Sequence, residues 1–134
     1  MYKAECKWID GERFTAVGSA GHAIMVDSDR SSNTAPGPME YVLMALCACT
    51  ATDVVSILRK KREPFTGVRV RAEAERAKEP PTVYTDIKLI YTVAGKVAKK
   101  SAEDAVRLSK EKYCSVSQML SKTAKVAYEI EYEG

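Results

Sequence analysis

The sequence predicts an α+β fold in which antiparallel sheets pack on one central apolar helix, and two observations carry that prediction. Apolar and polar residues alternate with a period of two near residues 2–8, 68–93 and 126–132, the pattern of strands with one wet face. Between the first two regions lies PMEYVLMALCACTATDVVSILRKKREP, residues 38–64, whose first half is apolar apart from small residues. A helix that is hydrophobic all round belongs at the centre of a fold. With 134 residues the chain has the size of one domain, 1–134, large enough to bury about two-thirds of its unfolded surface.

The elements follow in order. Tyr2, Ala4, Cys6 and Trp8 alternate with Lys3, Glu5 and Lys7, a first strand that points Cys6 into the core. Asp10, Gly11 and Glu12 make a turn, residues 13–17 a second strand, and Gly18 to Gly21 a turn into a third strand over 23–27, which completes a meander. The polar stretch SDRSSNTAPG delivers the chain to Pro38, a residue suited to the first turn of a helix. The cluster Arg59, Lys60, Lys61 and Arg62 falls where cations offset a helix dipole.

Beyond Pro64, residues 68–75 and 83–93 read as two long antiparallel strands joined across Lys78 to Pro81, each with one charged face. Residues 101–113 look helical, with Ser101 as N-cap and Glu103 and Asp104 in the first turn. Ser115 and Gln118 have capping-box spacing for a further helix, and 126–132 closes the sheet. A helix apolar on all sides needs cover on its second side too, so the pattern points to a dimer in which central helices bury one another.

Composition narrows the function. A formal charge of +3 spread over 21 bases and 18 acids is too weak for a nucleic-acid binder. The opening MYKAECKW lacks a basic leader with a long apolar stretch, and the apolar run around Cys47 is about half of the ~20 residues a membrane helix needs. The expectation is a soluble, cytoplasmic protein with no membrane partner. In a reducing compartment its four cysteines are not structural disulfides.

His22 is the only histidine, and Cys47-x-Cys49 is not a zinc spacing, so no cofactor or metal is expected. Residues two apart on a helix point about 200° from each other, so Cys47 and Cys49 do not share a face. Cys114 sits at the mouth of a helix N-terminus, where free amides lower a thiol's pKa. Cys49 has Asp53 one turn on, which disfavours a thiolate if both face the same way. On these residues alone, a functional thiol pair and two inert core cysteines both stand.

Pro38, an apolar helix reaching Cys49 eleven residues later, and Cys114-Ser115-Val116-Ser117 opening another helix together resemble the family of osmotically inducible protein C (OsmC) and the organic hydroperoxide resistance proteins (Ohr). VLMALCACTATDVVSILRK and LSKEKYCSVSQMLSKT resemble its YhfA-like branch in particular. The resemblance spans essentially the whole chain. It implies an OsmC-like, intertwined homodimer with active sites at the interface, and a thiol-dependent peroxidase acting on organic hydroperoxides. Cys49 then matches the peroxidatic position and Cys114 the resolving one, with a dithiol or dihydrolipoyl protein as reductant.

In that family a glutamate directly follows the helix-opening proline and works with an arginine to activate the thiol. Here Met39 stands in that place and Glu40 is one residue late, a shift that turns a helical side chain by about 100°. Arg30 is the nearest match for the arginine and Arg13 the second. Apolar walls around Cys49 are expected from Met39, Tyr41, Met44, Leu46 and Met119. The alternative is a non-enzymatic dimer that binds a small lipophilic or thiol-reactive ligand, for which Met39 in place of the acid speaks.

Overall fold

A computed structural model describes residues 1–134. The fold is α+β, with two three-stranded sheets and a long helix between them in sequence. The chain divides into two compact units, 1–44 and 45–134.

The first unit is the expected meander. β1 (Ala4–Asp10), β2 (Arg13–Gly18) and β3 (Ala23–Asp27) pair antiparallel, with Cys6 opposite Ala16 and Phe14 opposite Val26. Every residue of β1 is exposed, Trp8 by 64%. The expectation that Cys6 points into a core is therefore corrected: the alternation exists, but Cys6 is exposed with the rest of β1. Such uncovered apolar surface is what an interaction face looks like.

Asp27 is the buried exception. Its carboxylate accepts from the Thr34 amide (3.0 Å) and hydroxyl (2.6 Å), the Ser32 hydroxyl (2.8 Å) and the Asp29 amide (2.9 Å). Four donors on one carboxylate fold the polar loop back on the end of β3. These bonds, Thr34's first, hold the Asp27 carboxyl far below the usual carboxylate range.

α1 (Pro38–Lys60) starts in the first unit with regular geometry, its first bond running from the Tyr41 amide to the Gly37 carbonyl (3.1 Å). Glu40 is its third residue and reaches back to the Gly37 amide at 3.1 Å, the acid half of a capping box. At the other end Arg62 has φ 59°, its amide bonds to the Arg59 carbonyl, and the Glu63 amide bonds to the Leu58 carbonyl, both at 3.0 Å. This is a Schellman ending with arginine in the place glycine usually takes.

In the second unit β4 (Phe65–Arg76), β5 (Tyr84–Gly95) and β6 (Lys125–Glu133) lie in that order. β4 and β5 pair antiparallel, as expected. β6 runs parallel to β5, a departure from an all-antiparallel sheet. Parallel neighbours need a long crossover; α2 (Lys99–Leu108), a π-type turn (Ser109–Tyr113) and α3 (Ser115–Leu120) supply it.

The core of this unit joins Leu46, Val54 and Leu58 of α1 with Ile87, Leu89, Tyr91 and Val93 of β5 and Ala102, Ala105 and Val106 of α2. Each large side chain among them contributes about 1.5–3 kcal/mol by burial. Ile90 and Thr92, expected on the wet face, are also buried. They sit on the middle strand, where Ile90 has Arg71 and Glu129 as register neighbours and Thr92 has Arg69 and Glu131.

On α1 only Leu46, Thr50, Val54 and Leu58, spaced four apart, are buried. By length and composition alone this 23-residue helix could cross a bilayer, which a count of the uninterrupted apolar run did not anticipate. Its buried stripe nonetheless packs in the fold, with Thr50 bonded to Tyr91 and Ser109.

Two caps differ from expectation. Ala98 caps α2 without a side-chain bond, and Glu63 does the work instead, accepting from the Ala98 amide (3.1 Å) and the Ser101 hydroxyl (2.7 Å). α3 is capped by Cys114, not Ser115, and Gln118 donates to the carbonyls of Lys110 (2.8 Å) and Glu111 (3.3 Å).

Candidate active site

Cys49 lies half-buried on α1, and Cys114 is fully buried where the π-type turn gives way to α3. The Cys114 backbone turns to φ −79°, ψ 99°, which breaks the helix and aims the side chain at the next turn. Its Sγ accepts from the Ser117 amide at 3.4 Å, and the Ser117 hydroxyl donates to its carbonyl at 3.1 Å.

The thiol was expected to be acidified there; the outcome is the reverse. Burial pushes the Cys114 thiol up, the Ser117 amide pulls it down, and the neighbouring Cys49 side chain pushes it up again. Cys49 is thus near enough to contribute to the rise of the Cys114 thiol, and both lie in the second unit. Cys114 keeps its proton. Cys47 is half-buried, and burial pushes its thiol up as well.

A chain of buried hydroxyls runs beside the thiols. The Ser109 hydroxyl donates to Asp53 Oδ2 at 2.8 Å. Its single proton is then spent, so Ser109 must accept from Thr50 Oγ1 at 2.8 Å. Thr50 in turn accepts from the Tyr91 phenol at 2.7 Å. The order Tyr91, Thr50, Ser109, Asp53 is thereby fixed from phenol to carboxylate. Tyr91 is 1% exposed, and its phenol is pushed up to about 12, chiefly by burial, so it stays a neutral donor.

Sequence reasoning missed Thr50, Ser109 and Tyr91. One signal was available: Thr50 is the polar member of an otherwise apolar stripe at spacing four, a place where a hydroxyl needs a partner. Ser109 and Tyr91 could be found only through the fold.

The remaining expected residues fall in different places. In the first unit Arg30 Nη1 and Glu40 Oε1 form an ion pair at 2.5 Å. The Arg30 guanidinium also donates to the carbonyls of Asp27 and Ala35 and to Asn33, which pins it in the loop. Arg13 is instead engaged by Asp10 at 2.6 and 2.8 Å. The Tyr41 phenol donates to the Met25 carbonyl, Met39 is half-buried, and Met44 is 50% exposed.

In the second unit Met119 is exposed, whereas Leu46 is completely buried in the α1 stripe. Leu46 is therefore packing in this chain. Its side chain presents no surface to a ligand, because spacing four from Thr50 turns it inward.

Two three-stranded sheets and a long helix define a class of small α+β proteins, and the comparisons place the chain within it. The OsmC-like protein family matches residues 31–129. Protein YhfA of Escherichia coli strain K12 is 42% identical over 130 residues, covering 96% of each chain.

Among solved structures, the OsmC-like protein of Mycoplasma pneumoniae superposes with a TM-score of 0.87 at 14% identity, covering 100% of this chain and 98% of that one. An organic hydroperoxide resistance protein OsmC of Legionella pneumophila gives 0.73 at 14% identity, with 98% and 96% covered, a likeness of fold. The chain belongs to the OsmC-like protein family.

Proposed function

We propose that this protein is a two-cysteine peroxidase that reduces organic hydroperoxides in a reducing, cytoplasmic setting. The observation that supports the reading is that Thr50, the residue after Cys49, is bonded at 2.8 Å to Ser109, whose carbonyl accepts the Cys114 amide at 2.7 Å, which sets the two cysteine segments side by side. The name of the Legionella pneumophila relative gives the substrate class.

The Cys49 thiolate attacks the terminal oxygen of R–O–O–H, the O–O bond breaks, and the alkoxide leaves and takes up a proton. Cys49 is left as a sulfenic acid. Cys114, held as a thiol, attacks that sulfur; its proton leaves with the hydroxyl as water, and an S–S bond remains. A dithiol or dihydrolipoyl protein then reduces the disulfide by exchange, returning both thiols.

The activating role of Arg30 and Glu40 and the contact of substrate with Met39, Tyr41, Met44 and Met119 are parts of the same proposal. Homodimerisation is another, supported by the exposed β1 and by an apolar helix buried along one stripe only. The test is peroxide consumption with cumene hydroperoxide and dihydrolipoamide. Wild type turns over, Cys49→Ser loses at least 100-fold, and Arg30→Met loses about tenfold. Unchanged consumption in Cys49→Ser would refute the enzyme.

A further inference from the structure

We infer that Ser109 is a positioning residue that sets Cys114 against Cys49 through a buried hydroxyl clamp. The inference rests on the reading that these two cysteines form a disulfide. Ser109 is completely buried and is bonded through both of its functional groups. Its backbone carbonyl accepts the Cys114 amide at 2.7 Å, the five-residue bond that closes the π-type turn. Its hydroxyl is held at 2.8 Å by both Thr50 and Asp53 of α1.

Those two partners follow closely on Cys49 in α1. Thr50 is the next residue after Cys49, and Asp53 lies one helical turn on, on the same side as Cys49. Ser109 is thus fastened to the segment of α1 that carries Cys49 by two hydroxyl bonds, and to Cys114 by one amide bond within the turn. π-type turns concentrate at functional sites because they re-aim a side chain out of helical register. Here the turn is fastened at its first residue, Ser109, while Cys114 follows its last, Tyr113.

A preset arrangement of two thiols raises their effective concentration and favours the disulfide. In a redox buffer the two thiols of Cys49 and Cys114 reduce oxidised dithiothreitol, giving the protein disulfide and the reduced dithiol, with two electrons and two protons transferred. Loss of the clamp disfavours that disulfide.

The test measures the Cys49–Cys114 equilibrium of the full-length protein in dithiothreitol buffers. Ser109→Ala is expected to lower the disulfide-forming constant about tenfold, which makes the potential about 30 mV less negative. Thr50→Val, close to isosteric, moves it in the same direction and serves if Ser109→Ala fails to fold. Asp53→Ala also shifts it, and Asp53→Asn, whose amide oxygen still accepts from Ser109, restores most of the wild-type value. Folded Ser109→Ala and Thr50→Val proteins with the wild-type potential overturn the clamp. Inertness of Cys49 to cumene hydroperoxide, with the Ser109→Ala shift present, overturns the peroxidase and supports the clamp.

Discussion

Asp27 and Cys114 are both buried and titratable, and their surroundings drive them in opposite senses. Asp27 gathers four donors, so its charged form is favoured in the folded state. The sign follows directly: a depressed carboxyl contributes stability that is complete above the unfolded pKa near 4 and is lost as pH falls below it. Urea midpoints of wild type should therefore decline from about pH 5 downward, and Asp27→Asn should be less stable at pH 7 with a flatter profile below pH 5. Parallel profiles would show that Asp27 is not the group responsible.

Cys114 has the Ser117 amide and hydroxyl drawing its thiol down against burial and the neighbouring Cys49, and burial, the largest of these, wins. At pH 7 it should react with iodoacetamide at least tenfold more slowly than Cys49, as read by peptide mass spectrometry. Equal rates would contradict a buried, protonated Cys114.

Among the elements, helix ends and strand ends hold the informative residues. Arg62 adopts a left-handed conformation to finish α1, at a cost that glycine avoids. Arg62→Gly should stabilise the protein by about 0.5–1 kcal/mol, the gain from relaxed geometry being offset in part by a freer unfolded chain. Gly95, at the end of β5, is the opposite case. Its φ is 102°, and a Cβ there would come within 2.7 Å of the Pro64 carbonyl and 2.9 Å of the Thr66 amide. Gly95→Ala should cost about 1–3 kcal/mol, a loss readable in the same urea titrations.

Strands and the long helix were legible because their signal is periodicity, which reports burial averaged over a face. Their caps were not. Ser101 and Ser115 have the composition of N-caps, yet Glu63 and Cys114 take those roles, because a cap is decided by which oxygen or sulfur reaches the amides. The direction of β6 was likewise hidden, since alternation looks the same in parallel and antiparallel strands.

For the whole molecule, alternation and a central apolar helix were enough to give the α+β class. Cys49 and Cys114 were singled out by the resemblance to the OsmC and Ohr proteins, since spacing alone left inert core cysteines standing, and the Glu40–Arg30 pairing rests on residues offered as candidates by the same resemblance. The hydroxyl clamp was not legible. It joins Thr50 and Asp53 of α1 to Ser109 of the π-type turn, and no local pattern links a threonine in a helix to a serine at a turn. The uncovered β1 face was also unreadable, because a period of two marks an apolar face without saying whether this chain or a second copy covers it. Sedimentation equilibrium should accordingly give a particle of twice 14.8 kDa, and a monomer at micromolar concentration would remove the homodimer from the account.

The central claim is that Cys49 and Cys114 work as one redox unit, and one measurement reaches it most directly. Reduced protein is treated with one equivalent of cumene hydroperoxide, quenched by alkylation, and its peptides are mapped by mass spectrometry. The account predicts a disulfide joining Cys49 to Cys114, with Cys6 and Cys47 alkylated, and a sulfenic acid trapped on Cys49 in Cys114→Ser. A protein that keeps all four thiols, or that oxidises at Cys6 or Cys47 instead, would contradict it.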